Sequence, residues 1–541
     1  MPELKKTQFH PPGLEAALCL ASILLLFVAY FSHLGYLPLN TDTDESRRAI
    51  VTAEMMLSND YLSPTINGEL YLNKPPLYNW LVSFWFHLFG NFGMLAFRIQ
   101  VIVSIAGMAL SIFFLTRKFT SPVIAFFTAM AFATNGRILI YDSLQGLIDT
   151  SFSWLTYLVF ICVFYFGERK KYLSLFVFCY LLTTASFLMK GLPAIVFLGI
   201  TLLVYFVWKK QVRHLFHFSH FLSILLFVLL TGCYYYLYFD KNNLSPEILF
   251  RNLFNESAKR TGLEFGLPQV LQHIGSFPFE MLYHFAPWMM MSILLLPRNM
   301  RVMVKQQPFL YYNFLIFFFN ILVYWTSPQV YARYLFMFLP LLFVIFFSLY
   351  QKNKLTNIWQ ISFLNGFFSI TCIFLCLGSG LLPFLTLTSH MPQVWLKSSI
   401  LFFSFAFLTA LSFRYIQLRL HAFLLALIIF RIGFNWFVIE QRGYRDREAL
   451  AVANSIVKAT ESKPLFILSG ARVGNLDGIS FHISTARNEV LKYHNEIGPG
   501  KYFLIDTSQI IVGKTEVVLG FRHHQTDSIL LATFKDTVLV R

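Results

Sequence analysis

The chain has 541 residues, 56% of them hydrophobic and 18% aromatic, with 63 phenylalanines and only 13% charged side chains. A soluble domain carries about a quarter charged residues, so soluble multidomain, disordered and coiled-coil classes are excluded and a polytopic membrane protein is expected. The net charge of +16 does not mark a nucleic-acid partner, because the basic residues fall between apolar runs, which is a topology signal.

A helix needs about 20 apolar residues to cross a core of ~30 Å. Candidate spans fall near 14–34, 94–115, 120–135, 144–166, 172–189, 191–208, 216–239, 281–297, 309–326, 331–350, 357–382, 397–413 and 420–438, about thirteen in all. The start, Met1 to Pro12, is too polar for a signal peptide, so the first run reads as a retained helix. With Lys5 and Lys6 placed in the cytoplasm, every second connection is short and basic: Arg117-Lys118, Arg169-Lys170-Lys171, Lys209-Lys210-Arg213, Arg298-Arg301-Lys305, Lys352-Lys354 and Arg414-Arg419. That alternation satisfies the positive-inside rule and puts long loops at about 35–93 and 240–280 on the other side.

The expected organisation is a transmembrane unit over 1–439 and a small soluble α/β domain over 440–541, on the side opposite the N-terminus. In the second unit the apolar runs at 465–468, 502–505 and 516–519 alternate with polar or helical stretches, as strands and helices would. The six cysteines, Cys19, Cys162, Cys179, Cys233, Cys372 and Cys376, all lie in apolar runs. Without a CxxC or zinc spacing they read as small hydrophobes.

Polar residues gather on one side. The first long loop carries Thr41-Asp42-Thr43-Asp44-Glu45-Ser46-Arg47-Arg48, then an amphipathic stretch to Leu57, an Asn67-Gly68 pair, and Tyr71-Leu72-Asn73-Lys74-Pro75-Pro76. Asn-Gly between short apolar runs predicts a hairpin, and Lys74, before proline, is pushed out of helical space. Asp44 reads as a helix N-cap with Glu45 in the first turn, and a cap residue can also face a cavity.

The next turn on that side holds Arg137 and Asp142, with Asp149 seven residues on. Seven residues are two helical turns, so the two aspartates would share a face. If the span starts near 144, Asp149 lies almost two turns inside it, either paired with an internal arginine such as Arg98 or lining a cavity. Lys190 ends the fifth span, Arg333 opens the tenth beside Tyr334, and the 240–280 loop supplies Asn255, Glu256, Lys259 and Arg260. Cations with carboxylates at one membrane face suit an anionic lipid headgroup meeting a second substrate. Lysine and arginine hold phosphate by charge-assisted hydrogen bonds, and a carboxylate serves as base or stabilises a cationic sugar.

The run Asp44-Glu45-Ser46-Arg47-Arg48-Ala49, followed by Asn67-Gly68-Glu69-Leu70-Tyr71 and Lys74-Pro75-Pro76-Leu77, resembles the first periplasmic loop of the bacterial aminoarabinose transferase and protein mannosyltransferase-like family. Further matches are the Arg137 to Asp142 turn, Met189-Lys190-Gly191-Leu192-Pro193, Pro287-Trp288, and Arg333-Tyr334 with Pro340, so the resemblance covers roughly 10–345. It implies an α-helical GT-C membrane fold of about thirteen transmembrane helices with a periplasmic α/β domain, in the bacterial inner membrane. The implied activity is inverting transfer of a sugar from polyprenyl (undecaprenyl) phosphate to a lipid A-type, glycan or protein acceptor.

Carried over by motif, Asp44 corresponds to the family's catalytic aspartate and Lys74 to the lysine that meets the donor phosphate. The second acidic residue falls on Asp142 through the Arg-x4-Asp spacing, with Asp149 as the competing assignment. Glu45 joins these carboxylates as a candidate. Arg47, Lys190, Arg260 and Arg333 are candidates for the donor phosphate, and Tyr71, Glu256 and Tyr334 for the rest of the cavity. Asn73 stands where aminoarabinose transferases often have an acidic residue. That departure tells against a metal site there and against aminoarabinose as the sugar; no metal ligand is assigned, and use of a divalent metal stays open. A secondary transporter is the alternative of a different class, but transporters are usually built from two similar halves with short loops, which this chain lacks. An outer-face glycan polymerase or ligase is closer in chemistry and lacks the Asp-Glu and Lys-Pro-Pro loop.

Overall fold

The computed structural model describes residues 13–248, 251–252, 265–356, 358–445, 447–461, 463–471, 476–523, 527–535 and 538–539. In hydrocarbon each backbone N–H and C=O must be paired within its own segment, which makes apolar runs helical. The first half of the chain runs α1 (Leu14–Phe31), α2 (Asp44–Leu57), β1 (Thr65–Ile66), β2 (Glu69–Leu70), α3 (Leu77–Phe89), α4 (Met94–Thr116), α5 (Pro122–Ala133), α6 (Gly136–Ile140), α7 (Asp149–Gly167), α8 (Tyr172–Lys190), α9 (Pro193–Trp208) and α10 (Phe218–Asn242).

Among the described residues ten helices are long and apolar enough to cross a membrane: α1, α4, α7, α8, α10, Pro308–Trp325, Ala332–Asn353, Trp359–Phe384, Val394–Arg414 and Ile416–Ala459. Counting α5 with the segment Gly136–Leu144, bent by 49°, gives eleven. These account for eleven of the thirteen expected spans, and the other two are not long single helices. α9 is apolar but shorter, and the candidate at 281–297 is no single helix: Leu267–His284 gives way to a 3-10 stretch, Trp288–Leu295, and then to Arg298–Gln306. Pro287 and Pro297 flank that stretch, and each proline removes a backbone donor that a continuous helix would use. The chain is an α-helical polytopic membrane protein.

The helix Ala332–Asn353 is almost wholly buried, whereas less than a quarter of α1 and α10 is buried. Their outward faces carry Leu24 and Phe27, and Phe218, Phe221 and Leu229, apolar groups that suit lipid. Between helices in lipid, close packing replaces the hydrophobic drive. Phenylalanine supplies it here: Phe338 stacks on Phe160 at 6.0 Å and meets Phe197 edge-on at 5.8 Å, contacts each worth about 0.5–1.5 kcal/mol beyond area.

The C-terminal region carries β3 (Leu465–Leu468), β4 (Lys492–His494), β5 (Glu496–Ile497), β6 (Tyr502–Asp506), β7 (Thr515–His523), β8 (Asp527–Phe534) and β9 (Val538–Leu539). Five strands form one sheet in the order β4-β3-β6-β8-β7, with β3 parallel to β4 and β6, and β8 antiparallel to β6 and β7. The helices Glu448–Ala459 and Asp477–Arg487 bury Ile456, Ile479 and Ile483 against Ile467, Leu504 and Leu531 of the sheet. The three strand segments expected from the apolar runs fall in β3, β6 and β7, and all six cysteines are free thiols.

Candidate active site

The first long loop is built from α2. Thr43, not Asp44, is its N-cap: Thr43 is extended, and its hydroxyl accepts the Ser46 N–H at 3.1 Å. Both residue types cap well, but only one can occupy the position. Asp44 becomes the first helical residue, and its carboxylate, spared that task, is 52% exposed. Glu45 turns the other way into the protein, where Arg98 of α4 grips it at 2.7 and 3.2 Å and the Gly146 N–H donates to it at 2.7 Å. Glu45 is therefore a brace between α2, α4 and the turn before α7. Arg98, a candidate partner for Asp149, is occupied here and by the Leu37 carbonyl at 2.6 Å.

Farther along α2, Glu54 accepts from the Thr65 hydroxyl at 2.7 Å and from the Asn67 and Gly68 N–H groups at 2.6 and 3.2 Å. Burial pushes its carboxyl above the ordinary range against the pull of these donors. The predicted hairpin forms between β1 and β2, with φ 52° at Asn67 and 78° at Gly68, the left-handed pair that a two-residue turn requires. This fastening fixes the path of the chain toward Tyr71 and Lys74.

A cavity of about 580 Å³ of open space lies between these segments. Asp44, Arg47 and Arg48 line it from α2, and Tyr71, Asn73 and Lys74 from the stretch after the hairpin. Asp149 enters from the start of α7, Lys190 from the end of α8, and Tyr334 from the start of the buried helix Ala332–Asn353. Arg333 ties the acids together: its Nη2 bonds Asp44 at 2.5 Å and its Nε pairs with Asp149 at 3.0 Å. Lys190 bonds the other oxygen of Asp149, and its ammonium sits 3.7 Å from the centre of the Tyr334 ring. Arg48 donates to the Tyr71 hydroxyl. Four cations line the cavity against two carboxylates, so it favours an anion.

Asp149 does not lie two turns inside a span. It opens α7, because residues 142–144 form a 3-10 turn and Gln145 is extended, which breaks the helix that would have put Asp142 and Asp149 on one face. Asp142 is buried and ion-paired with Arg137 at 2.7 Å, and it is not among the residues lining the cavity. Arg47 lines the cavity but directs its Nε at Asp477 of the C-terminal region, 3.1 Å away. Burial raises the Asp477 carboxyl above its ordinary value, and Arg47 draws it back only in part. Glu256 and Arg260, with Asn255 and Lys259, lie outside the described residues.

Sequence reasoning missed Arg48 as a cavity residue and Asp477 altogether. Arg48 stood in the loop run with no local cue to its partner, and Asp477 is 430 residues from Arg47 in the chain, beyond any periodicity. Among the described residues no group of three or more His, Cys, Asp or Glu side chains is placed to hold a metal ion.

Residues 73–236 match the dolichyl-phosphate-mannose-protein mannosyltransferase family. The chain is 27% identical over 217 residues to an uncharacterized protein of Aquifex aeolicus, covering 40% of this chain and 48% of that protein. It is also 27% identical over 176 residues to the undecaprenyl phosphate-alpha-4-amino-4-deoxy-L-arabinose arabinosyl transferase of Pseudomonas aeruginosa, 32% of each chain. The match thus spans about half the length of the first relative and a third of the second. In fold it is similar to ArnT from Cupriavidus metallidurans bound to undecaprenyl phosphate, with a TM-score of 0.63 at 16% identity over 96% of this chain and 98% of that one. The apo form of that protein aligns equally well. In fold along nearly its whole length, and in sequence through residues 73–236, from within the first long loop onward, the chain resembles the aminoarabinose transferase and protein mannosyltransferase-like family of GT-C membrane proteins.

Proposed function

We propose that the chain is an inverting glycosyltransferase of the bacterial inner membrane that moves a sugar from polyprenyl (undecaprenyl) phosphate to a lipid A-type, glycan or protein acceptor at the periplasmic face. The observation that carries this reading is a cavity that gathers Asp44 and Asp149 with Lys74, Lys190 and Arg47, its two acids joined by Arg333. The likeness to ArnT, whose structure holds undecaprenyl phosphate, supports the donor class. On the same reading residues 1–439 form the membrane unit with a cytoplasmic N-terminus, and 440–541 the periplasmic α/β domain.

In this mechanism the acceptor oxygen attacks the anomeric carbon on the side opposite the lipid phosphate, so the C–O bond to phosphate breaks as the new glycosidic bond forms. Asp44, exposed at the cavity wall, takes the proton of a hydroxyl acceptor, a contribution of about 10²–10⁴-fold for a placed base. Negative charge collects on the departing polyprenyl phosphate, and Lys74, Lys190, Arg47 and Arg333 stabilise it. Asp149 is buried and holds both Lys190 and Arg333, so it aims the cations before the donor arrives. A planar guanidinium reaches two acids in fixed directions, which an ammonium cannot do.

The test is transfer by purified protein in detergent with radiolabelled sugar on undecaprenyl phosphate. Release of polyprenyl phosphate with labelled acceptor, lost in Asp44→Asn, is expected. No turnover by folded protein with any of several lipid-linked sugars and an envelope extract would overturn the reading and turn attention to solute flux.

A further inference from the structure

The C-terminal α/β region grips the loop that carries Asp44 and Lys74 at two points. Before Asp44, the Gly478 N–H donates to the Thr41 carbonyl at 2.9 Å. A Cβ on Gly478 would stand 2.1 Å from the Asn40 carbonyl oxygen, so the close approach requires glycine. Before Lys74, the Tyr493 N–H donates to the Asn67 carbonyl in the hairpin turn at 3.3 Å. Between them stands the ion pair of Arg47 with Asp477, whose side chain is 5% exposed.

Arg47 has three carboxylates within reach: Asp477 at 3.1 Å, Asp42 at 3.5 Å and Asp44 at 3.6 Å. The buried one is least screened by water and holds the guanidinium most firmly. With its Nε anchored there, Arg47 keeps its Nη1 3.6 Å from Asp44, an ion-pair contact longer than a direct hydrogen bond. Without that anchor the guanidinium turns toward Asp44 and Asp42, and a cation drawn closer to a carboxylate weakens it as a base. The groups facing this contact are Asp42, Asp44, Tyr71 and Asp477 around Arg47, Arg48 beside Asp477, and Arg333 on the far side of Asp44.

We propose that Asp477 is a positioning residue: it holds Arg47 back from Asp44, so that the C-terminal α/β region keeps Asp44 available to take a proton. The activity part of this rests on the glycosyltransferase reading. The grip on the loop does not, and each has its own measurement.

The experiment compares full-length wild type with Asp477→Asn in detergent, by transfer kinetics across pH and by hydrogen–deuterium exchange of residues 40–74. Expected are a kcat about tenfold lower, a donor KM within threefold, an acid limb of the pH–rate profile moved to lower pH, and faster exchange in 40–74. A variant with wild-type kinetics and exchange overturns the proposal. So does a lower kcat with an unmoved pH profile and unchanged exchange, which is what general loss of folded protein gives. If wild type turns over no lipid-linked sugar, the glycosyltransferase reading fails, and the exchange result alone upholds or overturns the grip. If Asp477→Asn does not fold, Gly478→Ala pushes the segment that carries Asp477 off the Asn40 carbonyl with the charge kept, and the same changes in kinetics and exchange are expected.

Discussion

Arg333 bonds Asp44 at 2.5 Å although 289 residues separate them in the chain, and its other edge pairs with Asp149 at 3.0 Å. One guanidinium thus sets the positions of two acids on different helices. Lysine at 333 keeps the charge but not the fork. Losing one charge-assisted hydrogen bond costs about 1.5–3 kcal/mol, so Arg333→Lys is expected to lower kcat/KM for the lipid donor by about 10–100-fold in the transfer assay. An unchanged value would show that the cavity needs only the charge.

Asp44→Asn removes the proposed base while leaving the helix start intact, since the cap is Thr43. Transfer is expected to fall by about 10²–10⁴-fold, with the size-exclusion profile and helical circular dichroism of wild type. A drop confined to yield of folded protein would make Asp44 structural.

Asp142 and Asp149 separate by environment. Asp149 lines the cavity with Lys190 and Arg333, whereas Asp142 pairs with Arg137 outside its lining. Asp149→Asn frees two cations from their shared acid and is expected to cost at least tenfold in kcat/KM. Asp142→Asn is expected to stay within about threefold once the amount of folded protein is matched. The reverse order of effects would return the second acidic role to Asp142.

Local patterns in the sequence translate well into this fold. The start of α2 at Asp44 and its end at Leu57 follow from the polar run and the amphipathic stretch, and the Asn67-Gly68 hairpin follows from its turn chemistry. What was not legible depends on choices between neighbours or on distant partners. Thr43 and Asp44 are both competent caps. The 3-10 turn at Asp142 has no periodicity to announce it, so the apolar pattern alone sets Asp149 too deep. The broken stretch around Trp288 is apolar enough to pass as a span, and only its flanking prolines mark the break. The pairs Glu45–Arg98 and Arg47–Asp477 join separate elements, and their members look locally like ordinary loop or helix charges.

Glu45, next to Asp44 in sequence, is predicted to matter for stability instead of chemistry. Its partner Arg98 is 1% exposed, so Glu45→Ala strands a buried cation, a loss of about 3–5 kcal/mol. The expected result is a marked fall in the temperature at which the detergent-solubilised protein loses its monodisperse peak, while Asp44→Asn leaves that temperature unchanged. Replacing both partners, Glu45→Leu with Arg98→Leu, removes the stranded charge and should recover part of the loss. Recovery stays incomplete, because the Gly146 N–H and the Leu37 carbonyl, bonded at 2.7 and 2.6 Å to the lost side chains, are left without them. A double variant no better than Glu45→Ala would show that the backbone bonds, and not the buried charge, hold the start of α2 against α4.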